Sequence, residues 1–232
     1  MPKRHDLWAW LKSFLKFLPY IALVAPPLLG DSSYTHAKWV IIALAIVTQA
    51  WKDRTGATSA EQKMAQRLRG HLSTLVDEIE AVLGPEFKGI LRANIMRPCD
   101  PYSLRIFCCV GGYKPKEMTM PWEIGKGVCG LAHSRGRMIY GDLQPQSSAK
   151  SYEDILDATG QTPYGLSEDH WALTRNLKTV LAIPIYEAND ARRRWGVLCI
   201  DSTAPMPAEK VDSEIAKTLD TYRKTIGISI LS

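Results

Sequence analysis

Five thiols are the most reactive groups in this chain of 232 residues: Cys99, Cys108, Cys109, Cys129 and Cys199. A thiol can serve as a nucleophile, a redox centre or a metal ligand, and its spacing to other residues decides which. None of the five stands in a C-x-x-C pair, so the ligand spacing of a zinc site is missing and no metal is expected. An odd number of cysteines in a domain facing a reducing compartment reads as free thiols. His133 stands alone on a short helical stretch, where a histidine is more often an ordinary polar contact than a haem ligand. The net charge of +5 is spread along the chain and follows no DNA- or RNA-binding motif, so nucleic acid is not an expected partner.

The elements that must position these groups follow from hydrophobic periodicity. Ser59 to Leu83 reads as one helix, with apolar residues at Met64, Leu68, Leu72, Leu75, Ile79 and Val82 and a stop at Gly84-Pro85. From Leu68 the steps alternate four and three, so the stripe fits either a helix lying on its own domain or a parallel coiled-coil seam. Beyond Phe87 strands and helices alternate. GILRANIMR and SLRIFCCVGG form a hairpin around Pro98-Cys99-Asp100-Pro101. A strand is expected within Glu117 to Ile124, then a glycine-spaced turn from Gly125 to Gly130 that opens a short helix, then a strand over Arg137 to Tyr140. Further helices are expected at Tyr152 to Ala158 and Asp169 to Asn176. Thr179 to Tyr186 and Trp195 to Asp201 are the strongest strands, joined by the basic turn NDARRR, and Ala208 to Ile226 closes the chain as a helix.

The first 55 residues differ in kind. Four of the seven tryptophans, Trp8, Trp10, Trp39 and Trp51, lie here beside two uncharged apolar runs, Phe17–Gly30 and Trp39–Trp51, of fourteen and thirteen residues. A full crossing takes about 20 residues, but flanking lysines snorkel and tryptophans settle at the interface, which closes the gap. Residues 1–55 are therefore expected to form a transmembrane helical hairpin, residues 56–84 a connecting helix and candidate coiled coil, and residues 85–232 a sensory domain. Basic residues flank both runs while the turn between them holds only Asp31 and Lys38. That places both termini and the domain on the cytoplasmic side of the cell (inner) membrane.

Two strings, IGKGVCGLAHSRGRMIYGDL and VLAIPIYEANDARRRWGVLCIDS, resemble the GAF domain family through Gly125, Gly127, Gly130, Pro184, Gly196, Val197, Leu198, Asp201 and Ser202. The resemblance covers about Gly84 to Ser232. It implies an α/β (α+β) fold: an antiparallel sheet of five to six strands with helices on both faces. It also implies a small-molecule or nucleotide pocket between the sheet and one helical face. Candidates lining that pocket are Trp122, Cys129, Tyr140, Asp142, Tyr164, Trp171, Arg175 and Thr179, with the aromatics suited to a planar ligand and Arg175 to an anion.

Within that family the strings are most similar to the free methionine-(R)-sulfoxide reductases. Cys129 matches the GVCG cysteine, whereas the loop from Gly141 to Lys178 and the segment before GVCG hold no cysteine. With the apolar runs and the heptad stripe, the expected protein is a membrane-anchored sensor without catalysis, assembled as a homodimer or higher homo-oligomer and signalling through its helix and hairpin. The hairpin could itself be the output, disturbing the membrane as a defence effector. The alternative is a divergent reductase using Cys129 with Cys108, Cys109 or Cys199. The residues leave the identity of any ligand or cofactor open.

Overall fold

The computed structural model describes residues 59–157 and 162–230. The hairpin expected over residues 1–55 lies outside them. Among the described residues no helix is long and apolar enough to cross a membrane.

Six strands form one antiparallel sheet: β1 (Leu91–Asp100), β2 (Ser103–Val110), β3 (Trp122–Glu123), β4 (Ile139–Asp142), β5 (Thr179–Glu187) and β6 (Asp190–Ser202). Their order is β3-β2-β1-β6-β5-β4, so the first and last strands in sequence pair at the centre. Helices cover both faces, which is the α+β architecture the motifs imply. In the central pair Arg92 faces Asp201 and Asn94 faces Cys199, while Ala93 faces Ile200 and Ile95 faces Leu198. Because side chains alternate across a strand, the first two pairs point to one face and the last two to the other.

The apolar face is covered by residues 64–83 of helix α1 (residues 59–83) and by the C-terminal helix. Leu68, Leu72, Leu75 and Ile79 of α1 are fully buried in one cluster with Ile95, Leu181, Leu198 and Ile200 of the sheet. The four-three stripe thus buries its apolar surface on its own chain, and the same residues are not free to form a coiled-coil seam. Each such side chain contributes about 1.5–3 kcal/mol on burial. The C-terminal segment runs as α6 (Ala208–Lys210), a π-helical turn (Val211–Ile215) and α7 (Ala216–Ser229), and buries Ile215, Leu219 and Ile226 in the same cluster. Lys210 Nζ donates to the Val82 and Leu83 carbonyls at 2.7 and 3.2 Å, satisfying the C-terminal end of α1.

The opposite face carries α2 (Pro115–Thr119), α3 (Gly127–Arg135), α4 (Gln144–Ser148) and α5 (Glu168–Thr174). Four expectations change here. Of the strand expected within Glu117 to Ile124 only Trp122–Glu123 is extended, and Glu117 to Thr119 belong to α2. Pro115 fits the first turn, and the Glu117 carboxylate accepts from the Lys114 N–H at 2.6 Å. Within 152–157, where a helix was expected, there is a single 3₁₀ turn, Glu153–Ile155. There Asp154 accepts from the Lys150 and Ser151 N–H groups, a side-chain turn that competes with helix. The helix expected at Asp169 starts one residue earlier because Ser167 caps it. The basic turn NDARRR shrinks to Ala188-Asn189, since β6 begins at Asp190 and the arginines lie in its exposed end. Charged strand ends of this kind resist edge-to-edge pairing.

Candidate functional site

On the α3 face, β1, β6 and the β2–α2 segment bring five polar residues together. Arg92 Nε donates to Asp201 Oδ1 at 2.5 Å, and its Nη1 reaches Glu117 Oε1 at 3.2 Å. The guanidinium also lies over the Tyr113 ring, 4.0 Å from its centroid. Tyr113 donates to Asp201 Oδ2 at 2.8 Å and accepts from Asn94 Nδ2 at 2.9 Å. The side chains of Arg92, Glu117 and Asp201 are 15%, 3% and 6% exposed. One guanidinium against two carboxylates leaves a formal charge of −1 in a site nearly cut off from water.

The titration behaviour follows from that enclosure. Burial pushes the Asp201 carboxyl above its usual range, and Arg92 and Tyr113 only partly oppose it. Burial acts to weaken Arg92 as a base, but Asp201, with smaller help from Tyr113 and Glu117, outweighs it and the guanidinium is held firmly protonated. Burial and the Asp201 charge raise the Tyr113 phenol well above its ordinary value, so it stays a donor.

These groups form one wall of a partly open cavity of about 60 Å³, with room for only a few waters. Met96, Ile106, Leu143, Leu166, Leu177 and Val180 make its apolar lining, and Trp122, Lys126 and the start of α3 border it. Two polar atoms in this lining are buried and have no partner among the described residues: the Asn94 carbonyl oxygen Oδ1 and the Trp122 indole N–H. An orphaned buried polar atom costs about 1–3 kcal/mol, so two on residues lining one cavity call for a functional reason.

Trp122 is held in place from α5. His170 Nε2 lies 3.0 Å from the Pro121 carbonyl and must carry the proton there, because a carbonyl only accepts. Its Nδ1 then accepts from Ser167 Oγ at 2.6 Å. With both nitrogens engaged, the His170 ring packs on the Trp122 indole with centroids 4.6 Å apart.

The glycines of the GVCG string have steric reasons. Gly127 opens α3 at φ +63°, which a residue with a Cβ rarely adopts, and a Cβ on Gly130 would run into the carbonyl oxygen of Glu123. This close approach lets α3 lie against β3. It brings Cys129, half-buried at the cavity, beside fully buried Cys199 of β6, with the two sulfurs 2.8 Å apart. Burial, then the neighbouring Cys129, raises the Cys199 thiol well above its ordinary value. Of the three thiols considered as partners for Cys129, Cys199 is the one beside it, whereas Cys108 points to the α1 face and is buried there. Cys109 is the neighbour of Asn94 on β2 and is half-buried.

Of the eight residues expected to line a pocket, the structure brings Trp122 and Cys129 together at this cavity. Tyr140 and Tyr164 line a separate, open groove with Arg135 and Arg137. The other four line neither. Asp142 is exposed and accepts from the Gln144 N–H, and Arg175 is exposed just after α5. Trp171 is buried and donates to the Gln146 carbonyl at 3.2 Å, and Thr179 is buried and accepts from the Met206 N–H at 3.0 Å. Sequence reasoning did not single out Arg92, Asn94, Tyr113 or Glu117. The one available signal was a charged Arg92 and a polar Asn94 alternating with Ala93 and Ile95 in an apolar strand. His133 is half-buried, both its ring nitrogens are buried without a partner among the described residues, and burial followed by nearby Arg194 lowers its basicity.

No protein-family model matches the sequence, and no curated protein matches it. Among solved structures the chain is similar to a type II free methionine-R-sulfoxide reductase from Thermoplasma acidophilum, at 10% identity over 73% of this chain and 94% of that one, with a TM-score of 0.47. It is also similar to the GAF domain of a two-component sensor histidine kinase from Bacillus halodurans, at 15% identity over 69% and 91% of the two chains, with a TM-score of 0.46. A third, free methionine-R-sulfoxide reductase of Staphylococcus aureus with its substrate, stands at 19% identity over 75% and 94%, with a TM-score of 0.41. Likenesses this distant assign no activity, so function rests on the chain's own residues.

Proposed function

We propose that this domain is a ligand-binding sensor whose ligand is a small metabolite carrying an amine or other cationic donor, held in the cavity between the sheet and α3. The observation that carries this reading is the buried, unpartnered Asn94 Oδ1 beside a cluster of formal charge −1. A donor on the ligand pairs with Asn94, a positive charge offsets Glu117 and Asp201, and an acceptor on the ligand takes the Trp122 N–H. A nucleotide is the weaker candidate, because its phosphates would face those two carboxylates. At about 60 Å³ the cavity must widen to admit anything beyond a few waters. Lys126, exposed and paired with Glu123 at 2.7 Å, is the cavity residue freest to swing aside. Calorimetric titration with primary-amine metabolites and with nucleotides tests the assignment. Binding of amines that falls at least tenfold in Asn94→Ala supports it; nucleotide binding indifferent to that change overturns it.

In the same reading residues 1–55 anchor the chain in the inner membrane as a two-helix hairpin, with the sensor on the cytoplasmic side and a homodimer as the working unit. The hairpin is either an anchor or the output, and the apolar runs with their tryptophan and lysine flanks support this arrangement. Protease protection of the full chain in inverted vesicles tests the topology. Dye leakage from liposomes on addition of the bound amine separates output from anchor.

A further inference from the structure

We propose that Cys129 and Cys199 form a redox-active dithiol that a hydroperoxide converts reversibly into a disulfide. The pair joins residues 70 positions apart, on the first turn of α3 and on central strand β6, with sulfurs 2.8 Å apart. A disulfide S–S bond is about 2.05 Å long, so closure needs a movement of less than about 1 Å. Such proximity gives an intramolecular reaction a large effective concentration.

The two thiols are unequal, and this divides their roles. Cys129 is half-buried and lines the cavity, whereas Cys199 is fully buried at the sheet. Only the first can meet a peroxide. The Cys129 sulfur, as thiolate, attacks one oxygen of R–O–O–H. The O–O bond breaks, an S–OH forms, and the alkoxide leaves with the Cys129 proton as R–OH. The Cys199 sulfur then attacks the Cys129 sulfur. The S–S bond forms, the S–O bond breaks, and hydroxide leaves with the Cys199 proton as water. Two thiols and one hydroperoxide thus give one disulfide, one alcohol and one water, with two electrons passing from sulfur to oxygen. The retained proton on Cys199 fits a resolving thiol that reacts only when its neighbour is oxidised.

The other described thiols lack this arrangement. Cys99 is exposed in the β1–β2 hairpin and contacts Asp100 and Ser103, not another sulfur. Cys108 is buried in the α1 cluster, and burial pushes its thiol up to about 12.

The experiment treats the purified full chain with one equivalent of hydrogen peroxide, alkylates the remaining thiols and maps the peptides by mass spectrometry. The expected result is a single new cross-link, Cys129–Cys199, formed ahead of Cys99 oxidation and reversed by dithiothreitol. The oxidised chain should melt higher than the reduced one, by up to about 10 °C, because the bond closes a long loop. In Cys199→Ser the cross-link should be replaced by a dimedone-reactive Cys129. Cys199→Ala serves the same purpose if the buried hydroxyl impairs folding. Both thiols still alkylatable after peroxide, or Cys129 trapped as sulfenic acid in the unsubstituted chain, would overturn the proposal.

Discussion

The two faces of the sheet use the same strands to opposite ends. Toward α1 and α7 the strands present Ala93, Ile95, Leu181, Leu198 and Ile200, and every one meets another apolar side chain. Toward α3 the neighbouring positions present Arg92, Asn94, Cys199 and Asp201, and there the packing stops short at a cavity with two unpartnered polar atoms. The first face contributes stability, and its buried hydroxyls, Thr179 and Ser202, each accept a backbone N–H, from Met206 and Ala204. The second gives up part of that stability by holding charges and orphaned atoms out of water. The difference teaches where to look for function: a face that violates good packing is the one that has something to bind.

The strongest test of the contrast is Arg92→Met. It leaves Glu117 and Asp201 buried without a cation and should cost about 3–5 kcal/mol in urea unfolding. Adding Asp201→Leu should recover part of that loss, a non-additivity that identifies the pair as one unit. On the other face Leu72→Ala should cost about 2–5 kcal/mol. Unlike Arg92→Met, it should leave ligand affinity per folded molecule unchanged. Equal effects on affinity would erase the distinction between the faces.

Gly130→Ala drives a Cβ into the Glu123 carbonyl oxygen. A loss of about 1–3 kcal/mol is expected, with α3 pushed away from β3 and the Cys129 and Cys199 sulfurs drawn apart, which a slower rate of cross-linking would show. A smaller effect concerns pH. The folded Asp201 carboxyl binds its proton more tightly than the unfolded one, whose pKa is 3.8. Folded protein therefore holds more protons in the window just above 3.8, and this group's contribution to stability falls as pH rises through that window. Asp201→Asn should flatten that part of the stability profile. Smallest of all, Arg175→Ala should stay within about 0.5 kcal/mol and leave binding intact, since Arg175 is exposed and away from the cavity.

Much of the frame was legible in the residues. The helix over residues 59–83, both strands of the β5–β6 hairpin and the glycine-framed start of α3 announce themselves through periodicity and turn chemistry, which depend on neighbours in sequence. The candidate site was legible only at Cys129, inside a motif, and at Trp122 beside one, while Asp201 stood in a motif without being read as a site residue. Tyr140, Tyr164, Trp171 and Thr179 share the residue types of a pocket, yet the fold sends them to an open groove or to packing duties. An aromatic or polar residue type states what a side chain can do, not what it faces.

By itself the sequence determined the long first helix, the strongest strands and the closing helix, which positions must lack a Cβ, and that the first 55 residues differ in kind from the rest. Tertiary structure decided partners. It placed the leucine stripe of α1 on its own sheet, set Arg92 against Asp201 across 109 residues, and brought Cys129 to Cys199 across 70. The reason is physical. Propensity, periodicity and turn geometry act over a few residues, whereas sheet order and register join strands far apart in the chain. A register one residue different would turn Arg92 and Asn94 to the opposite face and leave no site at all.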